Sequence, residues 1–483
     1  MTANYKYRPP WSSEKIQNRP RSGGRGSRRA SWVQDLPGRW LARRLALPIF
    51  SQLPFAHGSL RIISPLFVAG FFVVLMLSPA LCLFGQTESR AGEIQKERQE
   101  RSTHLKAEQQ SNVERGMVEV EEKKLPERLL SGVNGLGVKL GGLVAGSGFA
   151  IGPQYLREDL FSGNLTFRTS AEASYKLYQK YELQVTLPKL AKRRLFADFY
   201  SSHRNYPRIN FYGLGSRTPK GQRSDYRLED TATDLILGVK PVGFVRLGAS
   251  AGYLWVNVGP GTDSRLISTE QQFTPEQAPG IDRQTDFLRY GGFAQIDYRD
   301  DPFGPKSGGN YVGQYTWYQD RKLGLHDFQR LDVDLQQYIG FFNKRRVIAL
   351  RARTVLTDTR GAQVLPFYMN PILGGSEDLR GFRPFRFSDK NLLSLTGEYR
   401  WEAFSGLDMA LWVDGGKVFQ RHAQLNFANL EASYGFGLRF NALNRTFIRL
   451  DVGFSREGFQ IWFKFNDVFA QHPVGTRSAQ PIP

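Results

Sequence analysis

Cysteine and histidine are scarce in this 483-residue chain, and their scarcity removes several classes of site. The single cysteine, Cys82, lies inside a long apolar run, so the rest of the chain can form neither a disulfide framework nor a cysteine metal centre. A Ser-His hydrolase needs its two side chains together, yet no serine neighbourhood is shared by the histidines. The six are His57, His104, His203, His326, His422 and His472. We therefore expect no enzyme, no metal site and no cofactor.

Apolar residues are few for one water-soluble core of this length, since they make up 41% of the chain and the mean hydropathy is −0.40. Aromatic residues nevertheless reach 13%, and glycine occurs 49 times. This balance favours a β protein whose strands alternate apolar and polar faces. The chain also lacks a repeat of fixed period, which argues against a propeller.

Acidic residues are outnumbered, and the formal net charge is +20. Such a charge can indicate a nucleic-acid partner. About half of the excess, however, lies in residues 1–62, which carry twelve Lys and Arg against Glu14 and Asp35. We therefore expect no nucleic-acid partner. Residues 1–61 are interpreted as a basic N-terminal extension that is disordered or results from a misassigned start codon.

Residues 62–85 form an uncharged run, IISPLFVAGFFVVLMLSPALCLFG, that is long enough to cross a bilayer. Pro79 and the small residues around it favour a cleaved signal peptide over the alternative, a membrane helix. Residues 86–131 alternate acids and bases with few large apolar side chains. This pattern predicts a charged linker or solvated helix.

From about residue 132 to residue 469, apolar and polar positions alternate in segments separated by Gly, Pro, Asn and Asp. In LDVDLQQY, for example, Leu331, Val333 and Leu335 share one face. We count sixteen such segments: 134–144, 146–157, 163–174, 177–188, 193–206, 225–239, 243–257, 285–300, 309–320, 326–341, 345–357, 391–402, 407–419, 432–441, 444–455 and 458–467. A tilted strand needs about 9–11 residues to cross a bilayer.

The even number of segments, their apolar bands and the signal peptide together predict an all-β fold, a 16-stranded antiparallel transmembrane β-barrel over residues 132–469. Residues 470–483 then form a C-terminal tail. A soluble β-sandwich remains the alternative, because it shows the same alternation.

The stretch GGSEDLRGFRPFRF, residues 374–387, lies in the long connection between the eleventh and twelfth segments. By side-chain parity, Glu398 in the twelfth segment and Asp414 in the thirteenth point away from lipid and need a cation inside the barrel. Arg380 can supply a bidentate guanidinium if the connection folds inward. Gly381 would then allow a tight bend, and Phe382 would pack against the inner wall.

The motif Leu379–Phe382, LRGF, with its two inward acids resembles the BamA/TamA type of outer-membrane assembly and secretion protein, also called the bacterial surface antigen family. In that family an inward-folded loop between strands 11 and 12 carries an Arg-Gly-Phe or Arg-Gly-Tyr motif whose arginine reaches acids on the next two strands. DYRDDPFGPKSGG, residues 297–309, and FYGLG, residues 211–215, also resemble the family. The alternating aromatics of the last strand are similar to the C-terminal recognition signal of outer-membrane barrels. Family members usually carry periplasmic POTRA domains, for which residues 86–131 are too few and too polar.

The resemblance implies a protein of the bacterial outer membrane that inserts or translocates proteins or lipids. Its partners would be outer-membrane lipid, an unidentified client polypeptide or lipid, and a separate periplasmic chain if one supplies the POTRA domains. The alternative is a plugged or passive porin-like channel for small solutes, lined by charges such as Asp332, Asp334, Arg351 and Arg353. Arg380 could equally serve only to stabilise a closed barrel.

The first predicted strand is rich in glycine and poor in large apolar residues, so its pairing with the last strand should be weak. We therefore predict a labile seam between these two strands, where opening would expose backbone edges to a client. The predicted seam residues are Gly135, Gly137, Val138 and Leu140 of the first strand, and Gly458, Ile461, Phe463 and Phe465 of the last.

Overall fold

The computed structural model describes residues 134–191, 194–404, 406–442 and 445–465, together with residues 467 and 469. The predicted extension 1–61, signal peptide 62–85, linker 86–131 and tail 470–483 lie outside the described residues. Among the described residues, no helix combines the length and the apolar character needed to span a membrane.

Sixteen strands form one sheet that curls into a nearly closed barrel, as the sequence predicted. They are β1 Leu136–Gly141, β2 Ala150–Asp159, β3 Leu165–Ser174, β4 Gln179–Leu190, β5 Leu195–Phe211, β6 Ser224–Val239, β7 Val245–Pro260, β8 Phe287–Asp297, β9 Gly308–Asp320, β10 Phe328–Phe341, β11 Arg346–Thr359, β12 Asn391–Phe404, β13 Leu407–Phe419, β14 Glu431–Ala442, β15 Arg445–Ser455 and β16 Gly458–Lys464. Each strand pairs antiparallel with the next one along the chain. A two-residue strand, Ile267–Ser268, adds in parallel to β6.

The two faces of the sheet differ sharply in exposure. On β13, Leu411 and Val413 are 51% and 53% exposed, whereas Trp412 and Asp414 between and beside them are buried. We call the exposed, apolar side of the sheet the outer face and the opposite, sheltered side the inner face. The alternation follows from the period of two along a strand, which sends successive side chains to opposite faces.

The longest connections between strands, residues 212–223, 261–286, 360–390 and 420–430, all lie at one end of the barrel. Connections at the other end are shorter, for example residues 240–244 and 342–345. This asymmetry is typical of outer-membrane barrels, which combine short periplasmic turns with longer extracellular loops. The connection that carries the Arg-Gly-Phe motif therefore starts from the end with the long loops.

One patch of the outer face is covered by protein. The sequence predicts that Leu393 and Leu395 of β12 face lipid, and both do lie at outer-face positions, but they are only 6% and 7% exposed. They pack in a cluster that includes Leu430, and Leu425 and Phe427 lie beside Leu393. The connection 420–430 therefore shields this part of β12.

Candidate functional site in the connection 360–390 and at the strand seam

The connection 360–390 is a folded segment with apolar anchors on the barrel wall. Its two-residue strands, Ile372–Leu373 and Phe387–Ser388, pair antiparallel and bring its ends together. Within this hairpin, Leu379 and Phe382 are fully buried. They belong to a cluster completed by Leu373 and Phe387 of the segment and by Val355, Leu392 and Val418 of β11–β13.

Arg380 is fully buried and contacts both acids that the sequence singled out. Its Nη1 donates to Glu398 Oε2 at 2.7 Å, while Nε and Nη2 donate to the two carboxylate oxygens of Asp414 at 3.0 and 2.9 Å. The backbone N–H of Arg380 donates to Asp414 as well, at 3.1 Å. The guanidinium lies 3.8 Å from the ring centroid of Trp412, so a cation–π contact accompanies the ion pairs. A planar guanidinium suits this bidentate geometry, which an ammonium could not reproduce.

The ionic cluster is larger than the sequence analysis predicted. Glu398 also accepts from Arg439 Nη2 at 3.1 Å and from Arg400 Nε at 2.8 Å. Asp451 accepts from Arg439 Nη1 at 2.6 Å and lies 3.5 Å from Arg449 Nε. Parity indicates that these residues face inward, but their pairing depends on the register of β12 to β15, which no sequence pattern specifies.

The glycine of the motif lies in a tight turn, and it is needed there because another strand approaches closely. Gly381 has no positive φ, and in this hairpin the positive φ angles occur at Gly374, Gly375 and Phe385. A Cβ added to Gly381 would lie 2.4 Å from the carbonyl oxygen of Phe454, which a side chain cannot tolerate. The bend predicted at Gly381 is therefore present, since the Phe382 amide donates to the Leu379 carbonyl at 3.0 Å, but the contact with Phe454 and not the backbone conformation is what requires glycine.

The motif is also bonded to the last two strands. Ser455 Oγ of β15 donates to the Gly381 carbonyl at 2.7 Å, and Trp462 Nε1 of β16 donates to the Arg380 carbonyl at 2.7 Å. A Cβ on Gly453 would lie 2.4 Å from that same Arg380 carbonyl. The backbone of residues 380–381 thus lies directly against β15 and β16.

A second arginine of the connection, Arg386, was not predicted and joins it to two other loops. Arg386 Nε donates to Glu457, in the turn between β15 and β16, at 2.9 Å, and its guanidinium lies 4.8 Å from the ring centroid of Tyr212. Tyr212 belongs to the FYGLG stretch, in which the Gly215 amide donates to the Ser388 carbonyl at 2.8 Å. FYGLG and the Arg-Gly-Phe segment, far apart in sequence, are therefore neighbours.

The edges of β1 and β16 are not joined by a ladder among the residues that the structure describes: β1 pairs with β2, and β16 with β15. The described residues of the two strands approach each other near the C-terminal ends of both. A Cβ on Gly141 would lie 3.9 Å from the Phe465 Cβ, and the Phe465 ring meets that of Phe149 at 5.5 Å.

The remaining predicted seam residues lie along these two strands. Side chains at outer-face positions are exposed: Val138 37%, Ile461 61% and Phe463 56%. Leu140 and Phe465 are half-buried, and Gly137 lies within β1. Gly135 and Gly458 have positive φ angles of 87° and 117° next to or at the strand ends.

The last strand is shorter than predicted, ending at Lys464 instead of residue 467. Asp467 accepts from both terminal nitrogens of Arg400, at 2.8 and 3.0 Å, on the inner face of β12. Phe469 is buried in a cluster with Tyr338, Val347 and Ala349 of β10 and β11. Because Asp467 and Phe469 contact the inner face of other strands, the chain leaves the sheet after Lys464 and β16 ends there.

The charges proposed to line a channel are paired with one another. Arg351 donates to Asp334 at 2.9 and 3.0 Å, and Arg353 donates to Asp332 at 3.2 Å. All four side chains are largely buried. Oppositely charged groups that pair with each other attract or repel a passing charged solute less strongly than separate charges would.

Comparison with known proteins agrees with this architecture. The Omp85 superfamily domain matches residues 158–466. Among solved structures, the chain is similar to BamA from Haemophilus ducreyi lacking POTRA domains 1–3, with a TM-score of 0.50 and 13% identity over 69% of this chain and 69% of that one. No curated protein sequence matches.

The chain is also similar to two CdiB structures. CdiB from Acinetobacter baumannii gives a TM-score of 0.43 and 13% identity over 68% of this chain and 58% of that one. CdiB from Escherichia coli gives a TM-score of 0.47 and 12% identity over 68% of this chain and 62% of that one. The chain therefore spans less than two thirds of either CdiB chain. At these sequence identities the likeness to solved structures shows the fold alone. The Omp85 domain, however, covers most of the barrel, and we conclude that the chain belongs to the Omp85 superfamily.

Proposed function

We propose that this barrel lies in the bacterial outer membrane and inserts or translocates polypeptides there through the seam between β1 and β16. The observation that carries the proposal is that the edges of β1 and β16 share no ladder in the part of the chain that the structure describes. Unpaired backbone N–H and C=O groups on an edge can pair with a strand from another chain. In hydrocarbon such groups are costly when they have no partner, so a client strand would be stabilised there.

In this proposal the connection 360–390 is an inward-folded loop that fills the lumen and holds the last strands in place. The hydrogen bonds from Ser455 and Trp462 to residues 380–381 support that role, because they tie β15 and β16 to the ionic cluster on β12 and β13. A lumen filled in this way would pass few solutes. The mutual pairing of the lumen charges likewise gives the porin-like alternative little support.

A disulfide across the seam tests the proposal. The separation of 3.9 Å between a Cβ at position 141 and the Phe465 Cβ lies within the usual disulfide range of about 3.5–4.5 Å. In cells depleted of the native chain, the Gly141→Cys/Phe465→Cys double variant should fail to restore outer-membrane protein content when oxidised. Reduction should restore it, and quantitative profiling of outer-membrane proteins measures both states.

The matched control places the disulfide where strands are already paired. Val452 of β15 and Ile461 of β16 are direct partners in the sheet, so the Val452→Cys/Ile461→Cys variant should restore the protein content in either redox state. Full activity of the oxidised seam variant would exclude a client path through the seam. An unchanged protein profile with altered solute uptake would instead support the channel.

A further inference from the structure

A cavity of about 330 Å³ beside the seam contains a buried lysine. Its wall is formed by the end of β1, the connection that follows it, residues 374–378 of the Arg-Gly-Phe hairpin, and Lys464 of β16. The Lys464 side chain is only 8% exposed. Among the described residues, its ammonium makes no hydrogen bond and no ion pair. The stem of Lys464 is therefore buried while its ammonium keeps accessible surface in the cavity, where an anion can reach it.

The acids around the cavity form no ion pair with Lys464 among the described residues, although Glu377 is near enough to attract it. Asp378 accepts from the backbone amides of Gly374 and Leu379. Of the lining acids, Glu172 is paired with Lys139 at 2.6 Å, and Glu377 lies 3.3 Å from Arg449. The lining groups comprise five cations, Lys139, Lys180, Arg351, Arg353 and Lys464, against three acids, Glu172, Glu377 and Asp378. The Nε atom of Arg353 is buried and also has no hydrogen-bond acceptor within the described structure.

Apolar side chains from the seam complete the same cavity. Leu140 of β1 and Phe465, which follows β16, occupy outer-face positions and also line it. The cavity therefore connects inner-face cations with the apolar edge of the sheet. Such a combination suits a ligand that carries both an anionic group and hydrocarbon.

We propose that this cavity binds the phosphate group of an anionic membrane lipid, with Lys464 as the principal contact and the acyl chains directed past Leu140 and Phe465. A lysine ammonium is an effective phosphate ligand because it offers three donors and a compact charge. The lack of a side chain at Gly142 leaves space beside the Lys464 ammonium, since a Cβ at that position would lie 3.3 Å from the Lys464 Nζ. The proposal holds whether or not the seam admits a polypeptide.

Native mass spectrometry of the whole chain, released from nanodiscs of equimolar phosphatidylglycerol and phosphatidylcholine, tests the proposal. The wild-type barrel should retain phosphatidylglycerol in preference to phosphatidylcholine. Lys464→Gln should reduce the retained phosphatidylglycerol about tenfold, the loss expected for one charge-assisted contact, whereas Lys464→Arg should retain it. Lys189→Gln removes the same charge at an exposed position that does not line the cavity, so it should behave as the wild type.

Three outcomes would overturn the proposal. Equal retention of the two lipids by the wild type would do so without any variant, and this comparison remains valid if Lys464→Gln fails to fold. Unchanged phosphatidylglycerol retention by a folded Lys464→Gln barrel would exclude Lys464 as the contact. Titration with inorganic phosphate distinguishes a lipid phosphate from free phosphate. If free phosphate binds in a Lys464-dependent way and no lipid is retained, the ligand is not a lipid.

Discussion

The Arg380 guanidinium has no exposed surface, and carboxylates from two neighbouring strands surround it. Clusters of this kind add modestly to stability as a whole, because desolvation of the ions offsets much of their attraction. Loss of one member lowers stability much more, because the remaining charged groups stay buried without a partner. Asp414 depends most on Arg380, which supplies three of its hydrogen bonds.

We expect Arg380→Ala to lower the stability of the folded barrel by about 3–5 kcal/mol, the usual cost of breaking a buried ion pair. The measurement is the temperature at which the folded band on a detergent gel converts to the unfolded one. Arg456→Ala is the matched control, because Arg456 pairs with Glu431 while 57% exposed, and exposed pairs contribute little. Equal unfolding temperatures of the Arg380→Ala and Arg456→Ala barrels would contradict the role assigned to Arg380.

Side-chain parity was sufficient to select Glu398 and Asp414 as inward acids, because a carboxylate on the lipid face is costly. Parity was insufficient to predict that Arg439 and Asp451 join them. Their contacts require the stagger of β14 and β15 against β12, which depends on the closure of the whole sheet. The close packing at Gly381 was likewise invisible, because the Phe454 carbonyl that causes it lies on β15.

Among the elements, the turn between β8 and β9 is organised by one carboxylate. Asp300 Oδ1 accepts from the backbone amides of Asp301, Lys306 and Ser307, while Oδ2 accepts from Lys344 at 2.9 Å. Burial alone would raise the pKa of Asp300. The Lys344 ammonium and the backbone amides outweigh that effect and lower the pKa from 3.8 to about 2.

The sign of this shift predicts how the turn responds to acid. Because the pKa of Asp300 is lower in the folded chain, its stabilisation is complete above about pH 4 and is lost as the pH falls towards about 2. Hydrogen exchange of the Lys306 and Ser307 amides, corrected for intrinsic rates, should therefore show falling protection over that range. Asp300→Asn should abolish the pH dependence, and Asp282→Asn, in a different connection, should leave it intact. Constant protection down to pH 2 would contradict this account.

Strand positions follow closely from sequence alternation in the middle of the chain, where β13 spans the predicted residues 407–419. The ends of the first and last strands do not. Leu143 and Val144 donate their amides to Ser147 Oγ and so leave the β1 ladder, and Asp467 binds Arg400 across the barrel. Such contacts are made by tertiary structure and have no period that a sequence could reveal.

For the molecule as a whole, the proposed function predicts that the segment 374–387 controls whether the barrel conducts. If it closes the lumen, the purified barrel in a planar bilayer should pass little current, and deletion of residues 374–387 should give a steady conductance. Deletion of residues 423–428, in the connection that covers the outer face of β12, is the control and should leave the current low. A wild-type barrel that conducts at once would favour the porin-like channel.

The burial of Phe469 and the pairing of Asp467 also bear on how the end of the barrel wall is held. Beyond the ladder with β15, the chain that leaves β16 is anchored to β10 and β11 through Phe469 and to β12 through Asp467. These contacts join residues far apart in sequence, so the last strand is fixed only once the middle of the sheet has formed.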